Sequence, residues 1–146
     1  MIEARPDMAI NEVVSKIIEI VNVLNETELG DLAEDTLSRV ALKLAAYKAT
    51  LGTYVARAQF DRARADAEYY EARAKSYQDL RDEGRGSGDA NEMKHLAMKP
   101  AMEAQAEAYS DYETLSNLHR DCKEMIEAIR SQLIRLQTER KESSGI

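Results

Sequence analysis

The chain is 146 residues long and has no tryptophan, one phenylalanine, two prolines and one cysteine. A lone thiol, Cys122, rules out an internal disulfide. Its place in a seven-residue apolar series reads as a small buried core residue. The most apolar stretch, 13–24, is interrupted by Ser15, Lys16, Glu19 and Asn22, so it does not span a membrane. There are only two histidines, His95 and His119, 24 residues apart. No carboxylate cluster has metal-ligand spacing and no Cys–His arrangement is supported. The expectation is therefore a protein without metal, cofactor or enzymatic chemistry.

Glycine is also sparse, with six in the chain, but three of them fall within Gly84-Arg85-Gly86-Ser87-Gly88-Asp89. That segment is not a P-loop, because no Gly-Lys-Ser/Thr ends it and no strand is expected before it. It reads either as a plain helix-hairpin turn or as a phosphate cradle, with converging amides and the charge of Arg85.

What the chain does have is periodicity. Leu37, Leu44, Leu51, Ala58, Ala65 and Ala72 recur every seven residues before the glycines, and Ala101, Ala108, Leu115, Cys122, Ile129 and Leu136 do so after them. A sustained seven-residue apolar repeat makes helices that pack along a seam. The spacing predicts an all-α protein: a long antiparallel, coiled-coil-like helical hairpin over 31–142 with its turn at 83–89. An acidic amphipathic helix and linker over 1–30 precede it, and a flexible tail over 143–146 follows. A turn at Gly86-Ser87 sets residues near 60 opposite residues near 113. Bulky seam then meets bulky seam, and the alanines of the second helix (Ala58, Ala65, Ala67, Ala72) meet Ala101, Ala104, Ala106 and Ala108.

The first helix is expected over about 8–25, capped by Asp7. Ile10, Val13, Val14, Ile17, Ile18, Val21 and Leu24 form its apolar face, which either caps the hairpin or contacts a partner or second subunit. The second helix should run from about Leu32 to Asp82, with Asp31 and Glu34 as a capping box, and Gly52 inside it marks close packing or a bend. The third should start near Asp89, with Asp89 and Glu92 as its box. It should kink or restart at Pro100 and end near Lys141.

The net charge of −7 is uneven. Residues 1–36 hold nine acidic and two basic side chains, which is already −7, and residues 37–146 hold eighteen of each. Inside the balanced part, Arg39, Lys43, Lys48, Arg57, Arg62 and Arg64 face only Asp61 over 39–64. With Tyr47, Tyr54 and Phe60 interleaved, this stretch reads either as a solvated face, with Arg62 and Arg64 paired to Glu107, Asp111 or Glu113, or as a surface for single-stranded nucleic acid.

Three short segments carry a family likeness: Ala67-Glu68-Tyr69-Tyr70, then Gly84-Arg85-Gly86-Ser87-Gly88-Asp89, then Glu92-Met93-Lys94. Together they resemble the UvsY-like recombination mediators of phages, over about thirty residues by motif and over most of the chain by helix layout. The resemblance implies a non-enzymatic accessory protein of the host cell cytoplasm. Such a protein forms ring-like homo-oligomers, binds single-stranded DNA and helps a recombinase displace single-strand-binding protein. Lys43, Lys48, Arg57, Arg62, Arg64 and Arg85 are the expected phosphate contacts, chosen from local charge. The alternative is a helical protein-interaction module, such as a phage scaffold or host-factor inhibitor, that binds no nucleic acid.

Overall fold

A computed structural model describes residues 6–84 and 87–145, with side chains described from Ile10 to Gly84 and from Glu92 to Gly145. The described chain is all-α. Helix α1 spans Pro6–Glu26, a 3₁₀ turn spans Leu29–Asp31, α2 spans Glu34–Asp82 and α3 spans Ser87–Ser144. Two compact units result. Unit 1 is built from residues 1–54 and 116–146, and unit 2 from residues 55–115.

Unit 1 holds the bulky core. Leu37, Leu44 and Leu51 of α2, Ile17 and Leu24 of α1, and Cys122, Ile126 and Ile129 of α3 are all buried. Each set is spaced by three, four or seven residues, so each lies on one face of its helix. The α2 and α3 segments run antiparallel: Glu34 accepts a 3.0 Å bond from Arg140 Nη2, and Gly52 lies against His119.

Helix α1 packs within this unit. Ile17 is fully buried and Leu24 nearly so, while Ile10, Val13, Val14 and Val21 are half-buried. Of the apolar face expected to cap the hairpin or contact a partner, Ile18, at 44% exposure, is the most open to solvent. The chain's own bundle therefore takes up most of that face.

Unit 2 is a helical hairpin with a thin core. Its only buried apolar residues among those described are Ala58, Ala65 and Met98, with Ala72, Ala101 and Ala108 half-buried. Ala67, Ala104 and Ala106 are exposed, contrary to the expected alanine-on-alanine seam. Ala67 and Ala106 stand two positions from members of the seven-residue series, about 200° around the helix, which turns them away from it. The register agrees with the sequence estimate: Asp66 meets Gln105 and Tyr109, and Ser76 meets Met98. After Asp82, Gly84 takes a left-handed φ of +67° while its N–H bonds back to the Arg81 carbonyl, a conformation in which glycine closes a helix without a Cβ clash. Arg85 and Gly86 lie outside the described residues, and with them the proposed phosphate cradle.

Several expected boundaries move. α1 already includes Pro6 and Asp7, with proline at the first helical position, where its missing N–H costs nothing. Asp7 is thus not the residue preceding the helix. Asp31 belongs to the 3₁₀ turn and is not the cap of α2; the Leu37 N–H instead bonds the Ala33 carbonyl at 3.0 Å. α3 already contains Asp89, so this residue does not cap it, and its side chain lies outside the described set. α3 runs through Pro100 without restarting. The proline removes the bond to the Leu96 carbonyl, but both residues are exposed, so water can satisfy that oxygen. The expected loose tail is helical as far as Ser144, with Ser143 Oγ donating to the Glu139 carbonyl.

Gly52 lies beside the His119 ring, at a position that does not require glycine. A Cβ placed there would stand 3.6 Å from His119 Nε2, which is ordinary van der Waals contact. Because alanine suits a helix interior better than glycine by about 1 kcal/mol, Gly52→Ala should stabilise the protein by roughly 0.5–1 kcal/mol. Urea unfolding checks this, and a clear loss of stability would mean that the His119 ring cannot yield.

Candidate nucleic-acid interface

On α2 of unit 2, Arg62, Asp66, Tyr70, Arg73 and Tyr77 follow one another at intervals of three or four residues, so they form one stripe. The antiparallel partner α3 adds Tyr109, Tyr112 and Lys94. The Arg62 guanidinium lies 4.4 Å from the centre of the Tyr112 ring and 5.0 Å from that of Tyr109. Lys94 Nζ lies 5.6 Å from the centre of the Tyr77 ring. Tyr69 meets Tyr70 edge to face, with centroids 5.4 Å apart. Asp66 fixes the middle of the stripe by accepting bonds from Gln105 Nε2 at 2.6 Å and from the Tyr109 hydroxyl at 2.9 Å. Those two bonds hold its carboxyl below the usual carboxylate range, while the same carboxylate pushes the Tyr109 phenol up. Tyr70 and Tyr77 nevertheless stay 62% and 61% exposed, so cations and partly open rings alternate along one surface.

The expected arginine cluster is divided by helix geometry. Arg62 and Arg64 are two residues apart, about 200° around an α-helix. Arg57 and Arg64, seven apart, share the flank opposite Arg62. Arg64 pairs with Glu68 at 2.9 Å and Arg62 with rings, so neither uses Glu107, Asp111 or Glu113. Phe60 is exposed, but its position on the helix falls away from the stripe.

Lys43 and Lys48 belong to unit 1. Lys43 is exposed, whereas Lys48 lines a groove of about 310 Å³ between α2 and α3. Ala45, Ala49 and Gly52 sit on one face of α2 and leave the space open. His119, Lys123 and Arg130 line the α3 side, together with Ile126 and Glu127. Sequence reasoning missed these three α3 residues. Their spacing of four and then seven is the signal that could have found them. Burial, then the charges of Lys48 and Lys123, lower the His119 pKa below 6.5. Among the described residues, no three His, Cys, Asp or Glu side chains gather as a metal site, and no helix is long and apolar enough to cross a membrane.

The unfolded chain binds a proton at His119 more readily than the folded one. Stability contributed by its neutral form should be full above about pH 6.5 and should fall as pH drops toward the lower folded value. His119→Gln should flatten that part of a urea-derived stability profile; an unchanged slope would remove the field from consideration. Burial pushes the Cys122 thiol up to about 11. In native protein near neutral pH it should therefore react with a thiol reagent far more slowly than in urea, and equal rates would contradict its burial. No family model, curated protein or solved structure matches this chain.

Proposed function

We propose that this protein binds single-stranded DNA along the stripe of unit 2 and acts as a non-enzymatic recombination mediator. The observation that carries the binding is the alternation of Arg62, Arg73 and Lys94 with the exposed rings of Tyr70 and Tyr77. Single strands are held in this way: cations track the phosphates, and bases, which expose a π-face only when unpaired, stack on aromatic rings. Asp66 stays ionised within the stripe, and Arg62, one helical turn away, is the cation that counters it. The part played beside a recombinase and single-strand-binding protein rests on the resemblance carried by Ala67–Tyr70, the glycine turn and Glu92-Met93-Lys94. Homo-oligomerisation fits the same reading, because it gathers several stripes around one strand.

A second reading, a protein-interaction module, is favoured by the exposure of Val23, Leu42 and Ile134 in unit 1. Oligothymidylate binding separates the two. With no tryptophan in the chain, tyrosine emission reports stacking directly. Binding should quench it and should weaken steeply with added salt. Replacing Tyr70 and Tyr77 together by alanine should weaken binding about tenfold or more. Arg62→Glu should weaken it more than Arg64→Glu, which alters the opposite flank. Absence of binding at low salt would leave the interaction module.

A further inference from the structure

The groove of unit 1 lies apart in the sequence from the stripe and is not used by it. Its electrostatics are one-sided. Lys48 from α2 and Lys123 and Arg130 from α3 line one small space with the His119 imidazole, and Glu127 is the only acid there. None of the three cations forms an ion pair among the described residues, although α3 carries many acids. Three cations against the single carboxylate of Glu127 leave the space with an excess of positive charge. The floor is formed by residues with little or no side chain, Ala45, Ala49 and Gly52, so a ligand can enter between the helices. A volume of about 310 Å³ takes a phosphate with an adjoining sugar, whereas a bare surface patch would take only a diffuse counterion atmosphere.

We propose that this groove binds a phosphate group, carried by a nucleotide or by a nucleic-acid backbone, with Lys48 and Lys123 as its charge partners, His119 as a further donor and Arg130 adding positive charge farther along the groove. The dianion or diester reverses the field that His119 feels. The charged groups that act on the imidazole are Lys48 of α2 and Lys123 of α3, with Glu127 and Arg130 farther along the same groove. With the anion seated, the positive charges are compensated and the protonated ring becomes a hydrogen-bond donor to oxygen. Binding is therefore coupled to uptake of a proton by His119, and affinity rises as pH falls from about 7 toward 6.

The chain offers a direct readout, because it has only two histidines and the other, His95, is exposed in unit 2. Proton NMR of the full chain follows both imidazoles through a pH titration. The ligands are inorganic phosphate, thymidine monophosphate and a short oligothymidylate, each compared with sodium chloride at equal ionic strength. The His119 midpoint should rise saturably by about half a unit or more, with His95 unmoved. Lys123→Gln with Arg130→Gln should abolish that response. Both residues are exposed, so the fold should survive, and circular dichroism verifies it. These substitutions also raise the ligand-free midpoint by removing repulsion, so the change on adding ligand is the quantity read. A response to all three ligands assigns the site to free phosphate compounds, and a response to the oligonucleotide alone assigns it to the backbone. A shift equalled by chloride, or one that survives the double substitution, would overturn the site. The Tyr70→Ala, Tyr77→Ala protein tests independence from the stripe: loss of strand stacking there should leave the His119 response to inorganic phosphate intact.

Discussion

Burial of the apolar seam on α2 is the constraint on which both units depend. In unit 1 the seam is Leu37, Leu44 and Leu51, all fully buried together with Ile17, Cys122 and Ile129. Burying a leucine side chain contributes about 1.5–3 kcal/mol, so a few such positions define the bundle. In unit 2 the same seven-residue series continues as Ala58, Ala65 and Ala72. Alanine removes far less area from water, and Met98 is the only large side chain buried there among the described residues. Helices faced with alanine can approach closely, but they need other contacts to fix them. Those contacts lie on the flank, where Asp66 joins Gln105 and Tyr109, and Arg62 lies over two tyrosines.

The change from leucine to alanine also determines what each unit can offer a ligand. A thin core leaves large rings on the outside of unit 2, held by polar and cation–ring contacts and still partly open. Within unit 1, Ala45, Ala49 and Gly52 lie on a face of α2 beside the leucine seam, and their small size opens the groove lined by His119. The same residue type thus brings helices together in one place and clears space in another. The difference lies in whether the facing helix fills the gap.

Electrostatics divide the chain in a way that net charge conceals. All of the excess acidity lies within residues 1–36, and the remainder is balanced. Several acids along the chain are already engaged. Glu68 and Glu139 pair with arginines one helical turn away, Glu34 pairs with Arg140, and Asp66 is held by hydrogen bonds. Exposed pairs of this kind contribute little to stability. They do determine which cations remain available, and those of the unit 1 groove have no such partner among the described residues. An acidic protein can therefore still present cationic surfaces to a phosphate.

Periodicity in the sequence determined the helices, the hairpin turn and the register, because a seven-residue repeat of apolar side chains can be buried only by helices packed side by side. Leu37, Leu44, Leu51, Cys122 and Ile129 were legible as core for that reason. Helix ends were less legible: Asp31 and Asp89 have the residue type of a cap, but where a helix begins depends on backbone contacts beyond the local motif. Tertiary structure alone decided which charges and rings meet. Arg62, Arg64 and Arg57 are neighbours in a list of residues but sit on different sides of a helix. Lys48 meets Lys123 and Arg130, some seventy to eighty positions away, only because α2 and α3 run antiparallel. Local spacing records which face a side chain takes, whereas its partners are determined by what another helix brings to that face.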